Sequence, residues 1–83
     1  MASKLFYKAS VEKDLRRIDR QVAQRIITKL EKAFDEELDP GEPLKGEFHG
    51  LFKFRVGDYR VIYTHIRDGV LVLRIAHRKE SYR

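Results

Sequence analysis

Residues 51–83 read as three short runs of alternating polar and apolar residues separated by two turn signals, a pattern that demands an antiparallel meander. In the first run Phe52, Phe54 and Val56 share one side, with Lys53 and Arg55 on the other. Gly57 and Asp58 interrupt it. In the second run Tyr59, Val61 and Tyr63 alternate with Arg60, Ile62 and Thr64. Asp68 and Gly69 then form the strongest hairpin signal of the chain, because both central residues of a type I′ turn need positive φ. The third run, 70–76, is nearly continuous aliphatic, as expected of a central strand covered on both sides. Simple alternation places Leu71, Leu73 and Ile75 on one face of it and Arg74 with Arg78 on the other.

Charge is segregated along the chain. Residues 51–83 hold 8 Lys and Arg against 3 Asp and Glu, whereas residues 1–50 hold 10 of each, so the +5 of the whole chain resides in the meander. Its polar side should therefore be the surface that meets an anionic partner. A sequence pI of about 9.7 points the same way, toward nucleic acid, an acidic protein or an anionic membrane. The absence of a broad basic amphipathic helix weighs against the membrane.

Ahead of the meander, residues 5–8 (LFYK) read as a first strand. Ser10 is a candidate N-cap for a short helix carrying Val11, Leu15 and Ile18 at i, i+4 and i+7. Asp19 is a candidate cap for a second helix, whose apolar stripe is Val22, Ala23, Ile26, Ile27, Leu30, Ala33, Phe34 and Leu38. Arg25, Lys29 and Lys32 lie outside that stripe, and the helix ends in Asp35, Glu36 and Glu37, which oppose its dipole and suggest a contact with a basic partner. Pro40, Gly41 and Pro43 mark the loop that follows. The expected architecture is a single α+β domain over residues 1–83, in the order β-α-α-β-β-β, with a two-helix hairpin packed on one face of a largely antiparallel sheet. The chain has no Cys, no repeat, no signal-peptide pattern and no apolar run near the roughly 18 residues of a membrane span, so a cytoplasmic protein is expected.

Nucleotide-binding, nucleophile-elbow and zinc-protease motifs are all missing, and His49, His65 and His77 lack metal-ligand spacing. No cofactor or metal is expected. What remains is the basic set with interleaved aromatics. Taken singly, each Lys or Arg is an ordinary solvated side chain. Together they share one segment and one parity, and the chain closes on HRKESYR, where Tyr82 stands beside further Arg. Arginines grip phosphates bidentately, and an aromatic ring stacks on an unpaired base.

The stretches LKG at 44–46, GLFKFRVGDYRVIY at 50–63 and AHRKESY at 76–82 together resemble the RelE side of the RelE/ParE toxin superfamily, and the preceding strand and helix pair match that family's order. The resemblance implies a toxin of a type II toxin–antitoxin system that cuts mRNA in the ribosomal A site. The cut needs no metal: the ribose 2′-OH attacks the adjacent phosphate. By the same resemblance Lys53 and Arg55 fall on the paired basic positions of the first meander strand, Arg60 on the arginine that stabilises the phosphate in transition, and Arg78 on the arginine near the leaving group. Tyr82 matches the tyrosine that stacks on the substrate base. The family commonly has a second Lys where this chain has Arg55, and an arginine is a poor general base. Proton transfer would then fall to Lys53, to His77, whose ordinary pKa is near neutrality, or to Glu42, which precedes Pro43, Leu44 and Lys45 as a Glu does in some relatives.

Three functions compete on this reading. They are a ribosome-dependent endoribonuclease held by a small acidic antitoxin in an oligomeric complex, a ParE-like toxin that poisons DNA gyrase without catalysis, and a non-catalytic RNA- or partner-binding domain. The retained Lys53, Arg60, Arg78 and Tyr82 favour the first.

Overall fold

The computed structural model describes residues 4–35, 41–46 and 50–80. In chain order the elements are β1 (Lys4–Tyr7), α1 (Ala9–Arg16), α2 (Arg20–Asp35), β2 (Glu42–Pro43), β3 (Phe52–Val56), β4 (Tyr59–Ile66) and β5 (Gly69–His77), followed by a single 3₁₀ turn, Arg78–Glu80. The strands form one five-stranded sheet in the order β1-β5-β4-β3-β2. Only β1 runs parallel to its neighbour; all other pairings are antiparallel.

Both helices pack on one face. Val11 of α1 and Ile26, Leu30 and Phe34 of α2 close over Val56, Val61, Tyr63, Val70, Val72 and Ile75 of the sheet, all buried. The Tyr63 ring anchors this core, stacked on Phe52 at 5.5 Å and edge-on to Phe34 at 5.2 Å. The opposite face of the sheet carries no helix from the described residues.

The expected α+β architecture stands, with local departures. The first helix begins at Ala9, one residue before the Ser10 assigned as its cap, because Lys8 takes the extended N-cap conformation and no side chain caps the end. Asp19 does cap α2, accepting from the Gln21 amide at 3.1 Å. The first strand sits one residue earlier than read, over Lys4–Tyr7. Within the loop after α2, Glu42 and Pro43 form a two-residue strand against Lys53 and Phe52.

The largest departure lies in β5. Ile62 faces Arg74 while Tyr63 faces Val72, so Leu73 is an extra residue, a β-bulge. An inserted residue inverts the alternation beyond it. Val70 and Val72 before the bulge and Ile75 after it therefore all point to the core, and the expected grouping of Leu71, Leu73 and Ile75 on one face does not occur.

Candidate functional site

The site is built from the residues of β3 and β4 that point away from the helices. Because side chains alternate along a strand, burial of Val56, Val61 and Tyr63 on the helix side obliges Lys53, Arg55, Arg60 and Ile62 to emerge on the other. The register then aligns them in rungs. One rung runs Glu42–Lys53–Ile62–Arg74 across β2, β3, β4 and β5, and the next runs Arg55–Arg60–Ala76. Glu42, Lys53, Phe54, Arg55 and Arg60 line a groove of about 370 Å³. Three cations fixed on adjacent strand positions, with one carboxylate opposite Lys53, give a positive cleft on a rigid support.

The remaining predicted site residues are placed differently. Arg78 begins the 3₁₀ turn after β5; its amide donates to the Asp58 carbonyl at 2.8 Å, and its Nε lies 3.9 Å from Asp58 Oδ1. Both side chains are largely exposed, so this ion pair fastens the C-terminal turn to the β3–β4 turn only loosely. Arg78 thus stands at the end of the hairpin, past the rung of Arg60. His77 pairs with Tyr59 on the helix side of the sheet, where the two rings meet edge-on at 5.2 Å and Nδ1 accepts from the Lys79 amide at 3.2 Å. The sheet separates it from the groove, which removes the geometric basis for His77 in proton transfer there. Tyr82 and His49 lie outside the described residues.

Glu42 gains most from the structure. The family resemblance offers it as one of three candidates for proton transfer, and the short β2 strand sets it directly across from Lys53. A two-residue strand is too short to leave any periodicity, so the adjoining Pro43 and Gly41 read as loop. The strand is held at both ends. The Leu44 amide donates to the Leu51 carbonyl at 2.9 Å, and Gly41 lies so close to the buried Tyr63 ring that no side chain fits there.

The family model for the ParE toxin of type II toxin–antitoxin systems matches residues 5–82. A Toxin RelE of Mycobacterium tuberculosis is 37% identical, over 90% of this chain and 80% of that protein. The chain belongs to the RelE/ParE family of type II toxin–antitoxin toxins. Among solved structures, the toxin–antitoxin complex RelBE2 of M. tuberculosis superimposes with a TM-score of 0.84 at 25% identity, over 94% of this toxin and 100% of that chain. The RelB–RelE complex of Methanococcus jannaschii gives 0.73 at 24% identity over 89% and 91% of the two chains, a likeness of fold. These neighbours agree with the toxin's two helices on a mostly antiparallel sheet.

Proposed function

We propose that this toxin is a ribosome-dependent endoribonuclease that cleaves mRNA in the A site and so arrests translation. The observation that carries the reading is the convergence of Lys53, Arg55 and Arg60 around Glu42 in one groove. Cleavage through a 2′-OH needs a proton acceptor, stabilisation of a pentacoordinate phosphorane and a proton for the leaving oxygen. Glu42 takes the 2′-OH proton, and O2′ attacks phosphorus. The charge that builds on the non-bridging oxygens meets the Arg55 and Arg60 guanidiniums. The P–O5′ bond breaks, the Lys53 ammonium protonates the departing 5′-oxygen, and a 2′,3′-cyclic phosphate remains. By the family resemblance Arg78 serves the leaving group and Tyr82 stacks on the substrate base. Such light acid–base equipment relies on the ribosome to align the substrate.

In the cytoplasm a cognate antitoxin holds the toxin inactive; the RelBE2 toxin–antitoxin complex among the structural neighbours supports such a partner. A second reading, gyrase poisoning, is favoured by the matching family model, which is described for the ParE toxin. Primer extension on mRNA in a translating extract, with gyrase supercoiling assayed in parallel, separates the two. Cuts inside codons with undisturbed supercoiling support the endoribonuclease, and the converse result supports the gyrase reading.

A further inference from the structure

The two flanks of α2 differ in charge. On the side of β1, Glu31 and Asp35 border Leu5 and Tyr7. On the side of the β3–β4 turn, Arg25 and Lys29 border a cleft of about 330 Å³. Lys32 continues their stripe at i+7 of Arg25, and all three are exposed. None of the three makes an ion pair with a described residue. Like charges at i and i+4 destabilise a helix, so Arg25 and Lys29 are held together at a cost that a partner would remove.

The floor of this cleft is apolar: Val22 on the helix, and Val56 and Tyr59 on the hairpin. Val56 and Tyr59 face each other on the rung next to Arg55 and Arg60, but on the other side of the sheet. The basic groove and the cleft are therefore back to back on one hairpin. They differ in what they fit. A phosphate backbone gains nothing from covering aliphatic side chains, and the exposed Asp58 at the rim repels it. A peptide with aliphatic anchors flanked by Asp and Glu satisfies both the floor and Arg25 with Lys29.

We infer that the cleft between α2 and the β3–β4 turn docks an acidic, aliphatic-anchored segment of the toxin's protein partner, on the reverse of the RNA groove. This rests on the toxin–antitoxin reading but not on the chemistry proposed for the groove. The test is fluorescence anisotropy with three labelled probes: a glutamate-rich peptide with leucines spaced i, i+4, its scrambled isomer, and an oligouridylate. Charge reversal by Arg25→Glu with Lys29→Glu should weaken the patterned peptide about tenfold or more and leave the oligouridylate within about twofold. Arg55→Ala with Arg60→Ala should do the reverse. The scrambled isomer should bind several-fold more weakly than the patterned one. Equal binding of the two peptides, or loss of oligouridylate affinity in the α2 variant, overturns the inference, the latter in favour of a nucleic-acid surface. If the reversal variant fails to melt cooperatively, Arg25→Gln with Lys29→Gln takes its place under the same criteria. Codon-internal cleavage is scored separately. Its absence in the unaltered toxin sinks the endoribonuclease while leaving the peptide result to stand or fall alone.

Discussion

Arg55 and Arg60 stand directly opposite each other across the β3–β4 pair, two guanidinium-bearing residues on one rung. Like charges so placed destabilise a sheet by up to about 1 kcal/mol. The rung puts both residues on the groove side of the sheet.

Arg60→Ala tests the part this rung plays in the proposed cleavage. It removes charge from the groove and opens no core cavity, so stability should change by only about 0.5 kcal/mol, the usual range for such sites. Cleavage should fall about 10²–10³-fold, and Arg60→Lys should restore part of it, since the bidentate fork is lost. The measurement pairs in-extract cleavage with a circular dichroism melt. A folded Arg60→Ala that cuts at the parent rate removes this residue from the mechanism.

Gly41→Ala probes the placement of Glu42. An added Cβ would overlap the Tyr63 ring and hydroxyl, and Tyr63 is fully buried among Phe34 and Phe52, so it has no room to yield. Overpacking of this kind costs about 1–3 kcal/mol. For a domain of this size, each kcal/mol lowers the melting temperature by about 4–8 °C. The displaced β2 should also carry Glu42 away from Lys53 and reduce cleavage below that of the parent at temperatures where the variant is folded. An unchanged melt would mean that the approach of Gly41 to Tyr63 is not tight in solution.

Asp14→Ala addresses the edge of β5. Pairing with β1 ends at Val72, whose carbonyl takes the Lys8 amide at 2.9 Å, and beyond it the Ile75 amide donates to Asp14 Oδ2 at 3.0 Å. The carboxylate of α1 thus does for β5 what the missing length of β1 would have done. Losing a hydrogen bond to a charged group costs about 1.5–3 kcal/mol. Denaturant unfolding should show that loss, and hydrogen exchange should show the Ile75 amide exchanging faster. Parent-like protection at Ile75 would contradict the assignment.

Tyr7 supplies a pH dependence. Partial burial, and secondarily the Glu31 carboxylate, raise its phenol pKa above 10.0. A raised folded pKa means that the folded state holds the proton more tightly than the unfolded one. The stabilisation is therefore complete below the unfolded value and is lost as pH rises from there through the folded pKa. Tyr7→Phe should flatten the alkaline decline in melting temperature relative to the parent. Identical alkaline profiles would show that Tyr7 titrates as it does in the unfolded chain.

Period-2 alternation is a local property, so the grouping of Lys53, Arg55 and Arg60 on one side of the meander and of Phe52, Val56 and Tyr63 on the other was readable from spacing alone. So was the cap of α2 at Asp19, which involves neighbours two residues apart. The bulge at Leu73 was not, because an extra residue in a strand is defined only against its partner, and the all-aliphatic run 70–76 offers no polar marker of which residues face inward. Glu42 met Lys53 through a pairing too short to have a pattern. Asp14 found Ile75 across 61 positions of chain. The charge of the helices escaped for a simpler reason. Residues 4–35 hold nine Lys and Arg against five Asp and Glu, and the acidic residues at 36–50 cancelled them in the sum. Packing alone sorted that charge into an acidic flank over β1 and a basic flank over the β3–β4 turn, since the core-facing stripe of α2 fixes how the helix is rotated about its axis.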